Sequence, residues 1–258
     1  MKIFNQSKEK FRQIASFYKN SNTPIALTLD SLKLKKRPFI AQSKEGLKLS
    51  LRPSVGESFT FYENLIRQDY LRHGIQLNQG DTVIDIGANI GAFTVLAASI
   101  VGTQGQVLAF EPEATTFKCL LKNIQLNNLK NVIAINQAID QVTGNAELRV
   151  GDKSAFSNIH GRLDHLNSIA AQTVKTTTLT QVFENYHLTS VKLMKVDCEG
   201  SEYRIFDTLP QSIASCIEQI AMEVHRINGR QPSEIKNRLE ALGFEAYQTH
   251  PFTAFRVS

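Results

Sequence analysis

From residue 82 to residue 242, short apolar segments alternate with segments of helical periodicity, and this alternation limits the possible folds more than any other feature. The apolar segments are TVIDI (82–86), QVLAF (106–110), NVIAIN (131–136), VKLMKVD (191–197) and IEQIAMEV (217–224). The segments with the spacing of amphipathic helices are 91–101, 113–127, 201–209 and 232–242. This alternation predicts an α/β fold in which crossover helices join the strands of a parallel sheet.

Two further pairs of segments have strand character. GNAELRV (144–150) and QTVKTTT (172–178) enclose a polar loop. FEAYQTH (244–250) and FTAFRVS (252–258) are joined through Pro251 and predict an antiparallel pair at the edge of the sheet.

The first part of the chain lacks this regular alternation. We therefore expect an N-terminal extension over residues 1–78 and a sheet domain over residues 79–258. The elements predicted in the extension are a helix over 5–19, strands over 24–30 and 37–53 with a turn at 43–46, and one helix over 59–74 that ends at Gly74.

The segment DTVIDIGANIGAFT (81–94) places a glycine-rich turn between the first strand and a helix, and this turn restricts the ligand. A phosphate-binding loop needs a lysine after its last glycine, and none follows Gly91. A dinucleotide turn has GxGxxG, and Asn89 stands at the position of its second glycine. Asp85 at the strand end would repel a pyrophosphate but suits a ligand with cationic groups and hydroxyls, such as S-adenosylmethionine. Gly87 and Gly91 keep the turn tight beside that ligand, and Asn89 between them is also expected to contact it.

The ends of the next two strands add to this prediction. VLAFEP ends at Glu111, and a carboxylate at this position of a βαβ unit accepts hydrogen bonds from two ribose hydroxyls. After the third strand, Asn136 and Ala138 would lie near the adenine, although a polar strand end and a core alanine explain them nearly as well. The combined pattern predicts S-adenosylmethionine as the cofactor.

Four segments in order resemble the FkbM family of S-adenosylmethionine-dependent methyltransferases: DTVIDIGANIGAFT, VLAFEPEATTFKCLLKNIQLNN, VKLMKVDCEGSEYRIF and IEQIAMEVH. The resemblance covers roughly residues 80–250. It implies a class I methyltransferase (Rossmann-like) fold, a three-layer sandwich around a seven-stranded, mostly parallel sheet with an antiparallel edge pair. It also implies O-methylation of a small molecule such as a natural product, polyketide or sugar. Cys198 stands where the family more often has an apolar residue, and we interpret it as a small buried side chain rather than a nucleophile.

Acidic residues and one histidine follow the fourth and fifth strands. Asp197 ends one strand, Glu199 and Glu202 begin the next helix, and Glu223 and His225 share one face of the following segment because strand side chains alternate.

Ligands of open α/β sheets bind outside the carboxyl ends of the strands. We therefore expect Asp197, Glu223 and His225 to be catalytic, with His225 as a general base and Asp197 also near the cofactor. The alternative is that the same three residues bind a divalent cation such as Mg²⁺. One imidazole among two carboxylates is not strongly magnesium-like, so the metal-free version is favoured.

Two other functions stay open, and the first of them rests on the charge of the N-terminal residues. Residues 1–58 carry 12 Lys and Arg against 4 Asp and Glu, a balance that could attract RNA or DNA. However, KVDCEG lacks the Asn/Asp-Pro-Pro-aromatic pattern typical of amino-methylating nucleic-acid enzymes, so a nucleic-acid substrate is not favoured. A non-catalytic binding protein with a cofactor fold is the third alternative, and the acidic cluster argues against it.

The rest of the sequence predicts the setting of the protein. No signal peptide or apolar run of membrane-spanning length is present, which predicts a cytoplasmic protein without a membrane partner. The three cysteines show no zinc-ligand spacing. Two further predictions are a homodimer through residues 1–78 and lids formed by segments 55–75 and 150–170 over the carboxyl edge of the sheet.

Overall fold

The structure is a computed structural model, and it describes residues 2–150, 157–158, 170–225 and 229–257. The N-terminal extension begins with two helices and a β-hairpin and then turns toward the sheet through three short helical pieces. These elements are α1 (Lys2–Asn20), α2 (Pro24–Ser31), β1 (Phe39–Gln42), β2 (Lys48–Leu51), α3 (Glu57–Phe61), a π-helical turn (Tyr62–Ile66) and a 3₁₀ turn (Asp69–Leu71). The predicted first helix and hairpin are confirmed.

The strand predicted over 24–30 is wrong, because these residues form α2. Pro24 stands at the start of the helix, where its missing N–H removes no helical hydrogen bond. Leu27 is fully buried, and the buried Asp30 accepts a hydrogen bond from the backbone N–H of Ser54 at 2.7 Å. The alternation of apolar and polar residues in this short segment was therefore not a strand signal.

The single helix predicted over 59–74 is also wrong. The backbone N–H of Arg67 bonds to the carbonyl of Tyr62 five residues earlier, which widens the helix into a π turn. Gln68 then has a left-handed φ of 52°, which ends the helical path before Asp69–Leu71. Such π turns occur frequently at functional sites.

In the part of the sheet domain that the structure describes there are seven central strands, six helices and a smaller four-stranded sheet. In chain order its elements are β3 (Thr82–Ile86), α4 (Ala92–Val101), β4 (Gln106–Phe110), α5 (Ala114–Leu126), β5 (Val132–Ile135), β6 (Ala138–Ile139), β7 (Gly144–Val150), β8 (Ser157–Asn158), β9 (Ala170–Thr177), α6 (Leu179–Asn185), β10 (Val191–Val196), α7 (Glu202–Asp207), α8 (Gln211–Ala214), β11 (Ile217–Met222), α9 (Pro232–Ala241), β12 (Phe244–Tyr247) and β13 (Phe252–Arg256).

The strand order of the central sheet is β12-β13-β11-β10-β3-β4-β5, and β13 is antiparallel to both of its neighbours. The remaining neighbouring pairs are parallel. The seven-stranded, mostly parallel sheet with an antiparallel edge pair is thus confirmed. The smaller sheet has the order β6-β9-β7-β8.

Helices cover both faces of the central sheet, which makes the three-layer sandwich. Successive residues of β3 point to opposite faces, so Val83 packs with Phe93 of α4 whereas Ile84 packs in the cluster that contains Phe206 of α7. Asp85 therefore lies on the α4 face. The carboxyl ends of β3, β4, β10 and β11 meet along one edge, where the site is built.

The extension shares a hydrophobic core with the sheet domain. Phe17, Leu49 and Phe61 are fully buried and cluster with Val95 and Leu96 of α4. Burial of each such side chain contributes about 1.5–3 kcal/mol. The extension is therefore held against the helix that follows the glycine turn, while the division at residue 78 and the homodimer stay predictions.

Among the described residues, no helix is both long and apolar enough to span a bilayer. The predicted lid segment 150–170 lies largely outside the described residues. The other predicted lid segment, 55–75, contains the three short helical pieces of the extension.

Candidate active site

The turn after β3 packs directly against the end of β10. Gly87 and Gly91 have φ angles of 74° and 86°, in the region that favours glycine. A β-carbon at Gly87 would overlap the carbonyl oxygen of Asp197. The backbone N–H groups of Gly87 and Ala88 donate to the carbonyl of Phe110 at 3.0 and 2.9 Å. The glycine therefore lets three strand ends approach one another.

A first cavity opens beside this turn. Its wall includes the apolar side chains of Phe110, Ala138 and Leu148. Ala138 lines this cavity, and its contact with an adenine stays a prediction. Asn136 instead donates from Nδ2 to the carbonyl of Glu111 at 2.8 Å and to that of Pro112 at 3.0 Å. Asn136 therefore fixes the segment that carries Glu111.

Glu111 lines the first cavity with its carboxylate held by backbone donors. Oε2 accepts from the N–H of Asn89, and Oε1 accepts from the N–H of Glu113, both at 2.8 Å. Burial raises the pKa of Glu111 to about 7, because the desolvation of its charge outweighs the two hydrogen bonds. The backbone N–H of Asn89 thus orients Glu111, the residue that the sequence predicts to bind the ribose.

Asp85, which the sequence predicts to bind the cofactor, is paired with Lys195 inside the fold. It is fully buried, accepts a hydrogen bond from Thr94 Oγ1 at 2.6 Å, and lies 3.1 Å from Nζ of Lys195. Lys195 also donates to the carbonyl of Gly87 at 2.8 Å, and its Nζ is 3.9 Å from Asp197 Oδ2. Burial lowers the pKa of Lys195, but the charges of Asp85 and Asp197 outweigh it and raise the pKa. Asp85 therefore stabilises the glycine turn indirectly, because it holds the lysine that bonds to the Gly87 carbonyl.

A second, larger cavity of about 590 Å³ adjoins the first. The two cavities share four lining residues, which we call the boundary: Gly87, Asn89, Asp197 and Glu199. The second cavity is bounded on one side by the extension, through residues that include Glu63 and Tyr70, and on the other by Glu223 and His225. The structure thus brings Asp197, Glu223 and His225 together, as the sequence predicts.

His225 is enclosed by carboxylates. Its Nδ1 is 2.8 Å from Oε1 of the fully buried Glu202, and its Nε2 is 3.3 Å from Oε2 of Glu199. Burial lowers the pKa of His225, but the hydrogen bond to Glu202 and the nearby negative charges outweigh it and raise the pKa to about 10. At neutral pH the ring is therefore an imidazolium, and in this form it has no lone pair with which to act as a general base.

Three carboxyl groups of the second cavity have raised pKa values. Burial, with the charges of Asp197 and Glu223, raises the pKa of Glu63 to about 7. Burial raises the pKa of Glu199 to about 8, against the attraction of His225. Burial and the charge of Asp197 raise the pKa of Glu223. Perturbed carboxyl groups that share a cavity are typical of functional sites.

The three residues considered for a metal have compatible spacing. One potential ligand atom from each of Asp197, Glu223 and His225 lies within 4.8 Å of the others. Nε2 of His225 is 3.9 Å from Oε1 of Glu223. A cation there would have to replace the proton that Glu202 and Glu199 stabilise on the ring.

Three residues of the site were missed from the sequence. A lysine inside an apolar strand, two positions before an acid, was a usable signal for Lys195, because residues two apart share a strand face. Glu63 and Tyr70 gave no such signal, since their positions depend on how the extension folds over the sheet.

Cys198 is half-buried, and burial raises its pKa well above the ordinary value, which opposes a thiolate nucleophile.

The strand order, the glycine turn after β3 and the acid at the end of β4 define a class I methyltransferase. A family profile described as "Methyltransferase FkbM domain" matches residues 85–246. The chain therefore belongs to the FkbM family of S-adenosylmethionine-dependent methyltransferases, which confirms the resemblance drawn from its motifs.

Individual relatives are distant. The chain is 26% identical over 203 residues to 31-O-demethyl-FK506 methyltransferase FkbM of Streptomyces tacrolimicus, covering 68% of this chain and 78% of that protein. It is 25% identical over 187 residues to hexuronic acid methyltransferase AglP of Haloferax volcanii, covering 72% of this chain and 73% of that protein. The crystal structure of a methyltransferase FkbM from Methylobacillus flagellatus aligns with a TM-score of 0.49 and 14% identity, over 72% of this chain and 46% of that chain.

Proposed function

We propose that the chain transfers a methyl group from S-adenosylmethionine to a hydroxyl group of a small molecule, such as a natural product, polyketide or sugar. The observation that carries this proposal is the boundary shared by the two cavities. One cavity has the features of a nucleoside site, and the other holds a cluster of proton-accepting groups. Reacting atoms that meet at the boundary would be held in contact, which is a large part of catalysis.

The first cavity fits the adenosine portion of the cofactor. The two backbone donors leave capacity on the Glu111 carboxylate, because an ionised carboxylate offers about four lone-pair sites. Ribose hydroxyls can donate to those sites. The apolar wall of Phe110, Ala138 and Leu148 suits the faces of an adenine ring.

Asp197 faces the boundary and is proposed to contact the amino-acid end of the cofactor. When bound, S-adenosylmethionine supplies an electrophilic methyl group on a sulfonium. The Asp197 carboxylate offers a negative charge to the ammonium group of the cofactor's amino-acid end. The absence of a side chain at Gly87 lets the backbone of Asp197 lie against the glycine turn. Asp85, Gly91 and Lys195 keep this turn in place.

For proton removal, we assign the accepting group to Glu223 and give His225 a supporting role. An imidazolium hydrogen-bonded to the buried Glu202 has no free lone pair for a proton, whereas the raised pKa of Glu223 makes its carboxylate a stronger base. The Glu223 carboxylate would accept the proton of the acceptor hydroxyl, beside the cofactor that Glu111 and Asp197 would hold and that would supply the methyl group. The positive charge of His225 lowers the pKa of Glu223 against the effect of burial and so favours the carboxylate form.

The named relatives support this acceptor class. One is named for an O-demethyl small molecule and another for a hexuronic acid. A nucleic-acid acceptor stays the second candidate because of the basic extension. Its methylation would weaken steeply with salt, since phosphate contacts release counterions.

The test is methyl transfer from labelled S-adenosylmethionine to a panel of hydroxylated small molecules, with RNA and DNA as separate arms. We expect a methylated hydroxyl in the small-molecule arm, detected by mass spectrometry, at a rate insensitive to moderate salt. Glu223→Gln should lower turnover by about 10²–10⁴-fold. Methylation of only RNA or DNA would refute the acceptor class, and full activity of Glu223→Gln would refute the role of Glu223.

A further inference from the structure

We propose that Tyr70, which the N-terminal extension contributes, is a positioning residue that aims the Asp197 carboxylate at the boundary between the cavities. The inference rests on the proposed function, because it assigns Asp197 to the amino-acid end of the cofactor. It makes the extension part of the active site rather than only its cover.

The two contacts to Asp197 converge on one of its oxygens. Tyr70 Oη donates to Asp197 Oδ2 at 2.9 Å, and Lys195 Nζ lies 3.9 Å from the same oxygen. Burial and the charge of Asp197 raise the pKa of Tyr70 well above its ordinary value, so the phenol keeps its proton and acts as the donor. Among the described residues, no hydrogen bond occupies Oδ1, which leaves that oxygen for a ligand at the boundary.

Tyr70 is itself held from several directions. Its side chain is buried, its ring meets that of Phe93 edge-on at 5.7 Å, and Lys195 Nζ lies 5.2 Å from the ring centroid. The 3₁₀ turn that carries Tyr70 is anchored by Asp69, which pairs with Arg67 and with Arg72. A rigid donor of this kind fixes the rotamer of the group it contacts.

Loss of the phenol hydroxyl has a defined consequence. Without it, Lys195 becomes the strongest partner of Asp197, and at 3.9 Å a small rotation would bring the two into a direct ion pair. We expect that rotation to turn the carboxylate toward Lys195 and so to weaken its contact with a ligand at the boundary. Contacts to the adenosine portion, which depend on Glu111, would not change.

The experiment compares two ligands by calorimetry, S-adenosylhomocysteine and 5′-methylthioadenosine, which lacks the amino-acid end. Tyr70→Phe should weaken S-adenosylhomocysteine binding by about 10-fold or more, as for a hydrogen bond to a charged group, and change methylthioadenosine binding by less than about 2-fold. The matched control is Tyr62→Phe, whose ring also lies in the extension but outside the second cavity. It should leave both affinities unchanged.

A double-mutant cycle separates positioning from general damage. In the Asp197→Asn background, Tyr70→Phe should have no further effect on S-adenosylhomocysteine binding. Equal loss of both ligands in Tyr70→Phe would mean that the residue is merely structural, and unchanged affinity for both would also overturn the inference. If the wild-type protein binds neither ligand, the proposed function itself fails.

Discussion

Lys195 lies directly opposite Asp85 in the parallel pairing of β10 with β3, and its ammonium nitrogen is 3.1 Å from the Asp85 carboxylate. Their side chains are 4% and 0% exposed, so neither charge is compensated by water. The pair connects the strand before the glycine turn with the strand that ends at Asp197. It explains why a carboxylate can stand in an otherwise apolar strand.

Removal of Lys195 should therefore destabilise the fold. We expect Lys195→Met to lower the free energy of unfolding by about 3–5 kcal/mol, because it leaves the buried Asp85 charge unpaired. The double variant with Asp85→Asn should recover part of this loss. Denaturant titration measures both effects, and a Lys195→Met protein as stable as the wild type would contradict the pairing.

Gly87 and Gly80 form a matched pair of sites for alanine. Both have positive φ, 74° and 89°, but only a β-carbon at Gly87 meets another atom closely, the Asp197 carbonyl oxygen. Gly80→Ala should cost about 1–2 kcal/mol of stability and leave S-adenosylhomocysteine affinity unchanged. Gly87→Ala should cost more and abolish binding. Thermal melts and calorimetry test this, and equal behaviour of the two variants would disprove the close approach.

The acidic cluster predicts how stability depends on pH. The folded-state pKa of Glu63 is raised from 4.5 to about 7, so the folded protein binds more protons than the unfolded chain between these values. The contribution of Glu63 to stability therefore falls as pH rises through this window. Glu63→Gln should match the wild type near pH 5 and melt at a higher temperature near pH 8. The exposed Glu184→Gln is the control, and a melting difference independent of pH would refute the shift.

Metal dependence is tested by chelation. We propose that transfer is metal-free, because the imidazolium form of His225 is stabilised by the buried Glu202 and competes with a cation. EDTA should leave turnover unchanged, and added Mg²⁺ should not increase it. Activity abolished by EDTA and restored by Mg²⁺ would instead favour a cation held by Asp197, Glu223 and His225.

Much of the sheet domain follows from local sequence patterns. Apolar strands such as TVIDI and glycine turns act over a few residues, so their elements and the meeting of Asp197 with His225 are predictable. The structure of the N-terminal extension is less predictable from local patterns. Its segment 59–74 has a helical pattern, yet Gln68 adopts a left-handed conformation that the pattern does not indicate.

The sequence does not show which charged side chains of the site pair with each other. The sequence shows Asp85 at a strand end and His225 near acids, but not which partner each will have. Register places Lys195 opposite Asp85, and the fold places Glu202 at the ring of His225. Asp85 is paired with Lys195 and His225 with Glu202, and we therefore propose that Asp85 has a structural role and that His225 supports proton removal rather than performing it.

The most direct test of the account is calorimetric titration of the wild-type protein and Glu111→Ala with S-adenosylhomocysteine near pH 8, where the Glu111 carboxylate is ionised. We predict one site per chain in the wild type and a loss of about 1–3 kcal/mol of binding free energy in Glu111→Ala, since the ribose hydroxyls lose their acceptor. Glu218→Ala, at an exposed surface ion pair, should bind like the wild type. Equal affinity of the wild type and Glu111→Ala would contradict the ribose contact, and absence of binding to the wild type would contradict the assignment of the first cavity to the cofactor.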